Sequence, residues 1–174
     1  MKGDTSMNKF VTYGFDYFNK EMTIRDLELT CALGKPESAW WGSPIDSKFG
    51  WKEWCKLEEW YPKYKSYNSM EEYFSHRVCW TLEEGSKILY INSEKDLESF
   101  IEKGYIETDE FDFYKFNFFK IKEDYDAIQL NDPNIGHMYI NANYKLQNLM
   151  NAWDCESIVV LNPEKIIELN ESSK

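Results

Sequence analysis

An α+β fold is predicted by three features of this sequence. Strand-like and helical runs are mixed without strict βαβ alternation, and the helical runs are short. No linker or low-complexity tract divides the 174 residues, a length suited to one hydrophobic core. The composition, 43% hydrophobic and 17% aromatic, is that of a globular chain. A single domain over residues 1–174 is expected.

Taken in order, residues 9–18 (KFVTYGFDYF) have the β-branched and aromatic density of a strand, interrupted by Gly14, and a glycine inside a strand marks a bulge or a close approach. Ile24, Leu27 and Cys31 are spaced for a short helix closed by Gly34 and Pro36. Residues 38–44 (SAWWGSP) read as a short aromatic strand, and Trp51, Trp54, Cys55 and Tyr61 fall on one face of a helix stopped by Pro62. Residues 75–83 and 86–92 read as two strands, a hairpin about Glu84-Gly85. Ser93 and Asp96 form a capping box for the clearest helix, whose inner face is Leu97, Phe100 and Ile101 and whose stop is Gly104. Residues 109–125 fit both periods and lean to helix. Residues 125–132 read as a strand ending in an Asn-Asp-Pro turn. Leu146, Leu149, Met150 and Trp153 share a helical face, and residues 156–163 (ESIVVLNP) form a final central strand.

The formal net charge is −11, and Arg25 and Arg77 are the only arginines. Phosphate-backbone binding needs a basic surface and gains from guanidinium forks, so direct nucleic-acid binding is disfavoured. A basic protein partner suits the charge instead. Cys31, Cys55, Cys79 and Cys155 show no CxxC pairing, and His76 and His137 are the only histidines, so no zinc spacing is visible and no metal is expected. With no apolar leader and no 18-residue apolar window, reduced thiols in a cytoplasmic, non-membrane protein are expected.

Three short stretches stand out as candidate sites. Tyr13 before Gly14 could set a phenol beside an exposed amide. Adjacent strand residues point to opposite faces, so Trp40 and Trp41 cannot share one core, and one of them faces a second layer, a partner or a pocket. Ser43, after Gly42, would present a hydroxyl there. Asp154 and Glu156 flank Cys155 at the mouth of the last strand, an acidic setting that disfavours a thiolate nucleophile.

In that order, Tyr13-Gly14, Trp40-Trp41-Gly42-Ser43 and 154–166 (DCESIVVLNPEKI) resemble the three-part layout of the ADP-ribosyltransferase fold. There a first strand carries His-Gly or Arg-Gly, a second an aromatic-Ser stretch, and a last an acidic residue. The chain is also similar to phage-type proteins with a Trp-x-x-Trp-Cys and Trp-Asp-Cys pattern. The resemblance implies two small mixed or antiparallel sheets around a cleft with short flanking helices. NAD would be the substrate, its nicotinamide lying against the aromatic second strand and the Gly14 backbone. Asp154, or else Glu156, would stabilise positive charge as the glycosidic bond breaks. ADP-ribose would pass to a protein or nucleic-acid target, as in a toxin or phage counter-defence factor acting in a bacterial host. Tyr13 departs from the His or Arg of that pattern. The rival expectation is a non-enzymatic acidic inhibitor, of anti-CRISPR or nucleic-acid-mimic type, on a basic protein.

Overall fold

Strand β1 (Lys9–Tyr13) stops where the sequence places its glycine, because Gly14 adopts φ +81°, a left-handed conformation that other side chains rarely accept. The structure is a computed structural model and describes residues 8–22, 36, 39–63, 67–135, 144–150 and 153–169. The helix expected around Ile24, Leu27 and Cys31, together with Arg25, Gly34 and His137, lies outside these.

The other elements are a 3-10 turn (Lys20–Met22), β2 (Trp40–Pro44), α1 (Trp51–Leu57), α2 (Met70–Ser75), β3 (Arg77–Leu82) and β4 (Ile88–Ile91). They continue with α3 (Glu94–Glu102), β5 (Ile106–Thr108), β6 (Tyr114–Phe116), α4 (Phe118–Asp124) and β7 (Ala127–Leu130). Last come α5 (Tyr144–Met150), β8 (Ser157–Val160), a second 3-10 turn (Pro163–Lys165) and β9 (Ile166–Glu168). The α+β class is as expected.

Seven strands form one mixed sheet in the order β4-β7-β8-β2-β1-β3-β9, antiparallel except for the parallel β4–β7 pair, while β5 and β6 make a separate hairpin. Within the large sheet β1 and β2 are matched only at Phe10–Pro44 and Val11–Ser43, so a β1-β3-β9 part and a β2-β8-β7-β4 part meet at a short seam. Beyond it the Thr12 hydroxyl donates to the Trp41 carbonyl (2.6 Å). The strand expected to be the last, β8, is central, as its apolar run requires, but it is not the last: β9 follows it and lies at the sheet edge.

The hairpin expected between 75–83 and 86–92 does not form: β3 and β4 lie at opposite ends of the order and are not paired. The turn forms, with Gly85 at φ +85°, but β3 is buried at five consecutive positions and takes β1 and β9 as neighbours. Leu82 to Ile88 spans about 20–22 Å fully stretched, whereas five strand spacings of a flat sheet are about 24 Å. The sheet therefore curls. Its inner face holds Phe10, Trp40, Val78, Trp80, Leu82, Ile158 and Val160, closed by Phe15 and Phe18.

The outer face carries the larger core. Leu89, Ile91, Ile128, Leu130 and Val159 meet Leu97 and Phe100 of α3, Phe116 of β6, Ile121 of α4 and Leu146 and Leu149 of α5. The capping box of α3 is present, with the Asp96 carboxylate accepting from Ser93 N–H (2.9 Å). Residues 109–125, which fit both periods and lean to helix, divide into a turn, β6 and α4, so helix forms only over Phe118–Asp124. A third cluster, under α1 and α2, gathers Cys55, Tyr73 and Phe74 with Tyr13, Trp51 and Trp54. Among the described residues no helix is long and apolar enough to cross a membrane.

The outer layer also gives the fold a pH dependence. The buried Tyr105 ring reaches Asp124 through its hydroxyl (2.6 Å), and that bond, with burial, pushes the phenol up to about 12. A folded-state pKa above the unfolded value of about 10 means stability present below pH 10 and lost as pH rises towards 12. Asp124→Asn should bring Tyr105 ionisation down and make alkaline unfolding less steep in that window. Tyrosinate absorbance during a denaturation series checks this, and an unchanged profile would dismiss the bond as a contributor.

Candidate functional site

The three candidate stretches fall on β1, β2 and the mouth of β8, which are consecutive neighbours in the middle of the sheet. Some 110 residues separate the second stretch from the third in sequence. Position along the strands is a different matter. Extending the registers Val11–Ser43 and Gly42–Ile158 sets Tyr13 level with Val159 and Glu156 level with Phe10. About 10 Å along the strands and about 10 Å across them therefore separate the Tyr13-Gly14 end from Glu156.

The second and third stretches do meet. Trp41 touches Trp153 edge to face (5.0 Å between ring centroids), and Trp153 directly precedes Asp154. The Glu156 carboxylate accepts from the backbone N–H groups of Lys48 (3.0 Å) and Phe49 (2.9 Å), and its own N–H donates to the Phe49 carbonyl (2.9 Å). Glu156 thus anchors the turn between β2 and α1. Asp154 is half-buried, and among the described residues it has no hydrogen bond or ion pair. Of the two carboxylates only Asp154 has its acceptor capacity uncommitted there.

Loss of that anchor should be measurable. Glu156→Ala leaves two N–H groups without their acceptor, one of them part-buried, which costs about 1–3 kcal/mol. The urea midpoint should fall accordingly, with faster amide exchange at Lys48 and Phe49. Unaltered exchange there would show the turn to be held by other means.

The aromatic wall expected from Trp40 and Trp41 is not a wall. Trp40 packs into the inner core against Phe15 and Phe18, and Trp41 turns to the outer core. Both faces of the sheet are covered, so opposite-pointing neighbours are each inside a layer. Gly42 is required by packing: a Cβ there would lie 2.8 Å from the Trp80 ring and 3.1 Å from the Val11 carbonyl oxygen. The Ser43 hydroxyl is buried and accepts from Trp51 N–H (2.8 Å), fastening the start of α1 to β2 rather than presenting itself to a pocket.

At the other end, the Gly14 amide expected to be exposed donates to the His76 carbonyl (2.6 Å), and the Gly14 carbonyl accepts from the Tyr67 hydroxyl (3.0 Å). The Tyr73 ring fills the space a side chain at Gly14 would need, 2.6 Å from such a Cβ. The Tyr13 ring meets Phe74 edge-on (5.0 Å), and its phenol is raised by burial and then by Glu53. His76 Nδ1 lies 2.6 Å from an Asp16 carboxylate oxygen. Asp16, Tyr67, Tyr73 and Glu53 do not stand out in the sequence. Tyr67, Tyr73 and Glu53 reach Tyr13-Gly14 from about 40–60 residues away, leaving no local signal, while Asp16 lies within the same stretch and meets His76. Cys55, Cys79 and Cys155 are buried and form no disulfide among the described residues, and burial pushes the Cys55 thiol up to about 12, which suits inert packing. No group of three or more metal-ligating side chains occurs among the described residues.

No family model, curated protein or solved structure matches the chain.

Proposed function

We propose that the protein is an ADP-ribosyltransferase-like enzyme that cleaves NAD and passes ADP-ribose to a macromolecular acceptor, with Asp154 as its acting carboxylate. One observation carries this reading: the three stretches that resemble that family, dispersed in sequence, lie on the adjacent strands β1 and β2 and at the mouth of β8. The bond from the ribose carbon to nicotinamide breaks with its electron pair leaving on nicotinamide, and positive charge grows on the sugar. A fixed carboxylate beside that carbon favours the transition state. Asp154 fits this duty because Glu156 is committed to backbone amides. The buried Ser43 and the half-buried Trp41 then serve as supports that set the Asp154 strand mouth, rather than as contacts to nicotinamide.

Titration with NAD, followed by calorimetry or NMR, on the wild type, Asp154→Ala and Tyr13→Ala tests the reading. Saturable binding together with nicotinamide release that Asp154→Ala reduces by about 10²–10³-fold is expected. Absence of binding at millimolar NAD would remove the reading.

A second reading, a non-enzymatic acidic protein that binds a basic partner, draws on the occupied Gly14 amide and the two packed tryptophans. These leave neither the Gly14 amide nor a Trp40–Trp41 wall for nicotinamide to lie against. Under this reading NAD does not bind, and affinity for the partner falls steeply with salt.

A further inference from the structure

The β5–β6 hairpin ends in a turn that exposes two phenylalanines, Phe111 at 71% and Phe113 at 42%. Single aromatics are comparably open elsewhere, Tyr17 at 62%, Tyr144 at 61% and Phe119 at 51%, but here two rings share one turn. The turn is no loose excursion. One Asp109 carboxylate oxygen accepts from the N–H groups of both Phe111 and Phe113 (2.9 Å each), Asp109 N–H donates to the Phe113 carbonyl (2.8 Å), and Asp112 N–H to the Asp109 carbonyl (3.1 Å). Asp112 takes φ +67° to close it and is held to α5 by Lys145 (2.6 Å). The rings are therefore presented on a pre-ordered support, so little entropy remains to be lost when they are covered.

Charge decides what covers them. With a net charge of −11, a second copy of the chain, an anionic membrane and a nucleic acid are all repelled. Within the turn Asp109 is consumed by backbone and Asp112 by Lys145, but Glu110 is exposed beside Phe111, and no Lys or Arg lies between residues 104 and 114. We propose that this tip is a docking surface for a partner protein presenting a cationic segment with interspersed apolar side chains, its apolar groups seated on Phe111 and Phe113. Aromatic anchors inside a ring of polar groups are the usual source of binding energy at such contacts. This surface is independent of NAD chemistry, and NAD titration does not report on it.

The test uses a synthetic peptide of alternating Lys and Leu as probe, with a Lys and Ser peptide of equal charge as control, followed by calorimetry at two salt concentrations. The Lys-Leu peptide should bind, more weakly at the higher salt. The double variant Phe111→Ser/Phe113→Ser should lose about tenfold or more in affinity. Leu57→Ser, an equally exposed apolar site on α1, should lose none. Asp109→Ala keeps both rings but releases the turn, and should also weaken binding. Equal binding of the two peptides would make the contact one of charge alone. That result overturns the proposal, as would full affinity in the double variant, no binding at all, or self-association of the chain relieved by the double variant.

Discussion

Replacing Asp154 with alanine is expected to reduce NAD cleavage by about 10²–10³-fold, the usual loss when one fixed electrostatic stabiliser is removed. The fold should be indifferent to the change. Asp154 is half-buried and, among the described residues, engages no partner, so the stability cost should stay within about 0.5 kcal/mol. Asp154→Asn preserves the shape and removes only the charge, and should lose nearly as much activity. Glu156→Ala should behave oppositely, with a lowered urea midpoint from the freed Lys48 and Phe49 amides. Steady-state nicotinamide release measured beside a urea curve separates the two. Undiminished turnover in Asp154→Ala would end the assignment of Asp154. The same loss of turnover in Glu156→Ala with an unmoved midpoint would transfer the role to Glu156.

The largest stability effect is expected at Trp80. This ring is fully buried, lies 4.8 Å from Phe10 between centroids, and donates through Nε1 to the Thr12 hydroxyl (2.9 Å), which in turn donates to the Trp41 carbonyl (2.6 Å). One side chain of β3 thus ties β1 and β2 together where their backbone ladder has ended. Trp80→Ala should cost about 3–5 kcal/mol from lost burial and the cavity left behind, a large share of the roughly 5–15 kcal/mol by which a domain is ordinarily stable. Trp80→Phe keeps much of the apolar area and leaves the Thr12 bond to the Trp41 carbonyl, but removes the donor to the Thr12 hydroxyl, and should cost about 1–2 kcal/mol. Guanidinium melts of both variants are the measurement. A Trp80→Ala midpoint near that of wild type would show that the seam does not depend on this ring.

Local patterns explain which elements are legible in the sequence. The α3 capping box, the Leu146 and Leu149 face of α5 and the apolar run of β8 each depend on neighbours within a few residues. The β3–β4 hairpin is a misleading signal because a Glu-Gly turn specifies a change of direction and not a pairing partner. The choice falls to burial: β3, covered on both faces, joins β1 and β9, while β4 joins β7 in parallel. The tryptophan pair is half legible. Alternation correctly sends Trp40 and Trp41 to opposite faces, but it cannot say that both faces are covered. The role of Gly42 is invisible for the same reason, since the Trp80 ring that forbids a side chain there comes from another strand.

By itself the sequence determined the class of fold, most strands and helices, and an acidic surface, since these depend on composition and on periods of two and 3.6 residues. Only the tertiary structure decided that β8 lies beside β2, that Glu156 binds the 48–49 amides while Asp154 is left uncommitted among the described residues, and that the Gly14 amide is occupied by His76. Each of those outcomes is a contact between residues about 60 or more positions apart. Such contacts are selected by the joint burial of whole layers and by the need to satisfy every buried polar group, conditions that no short stretch of chain can express.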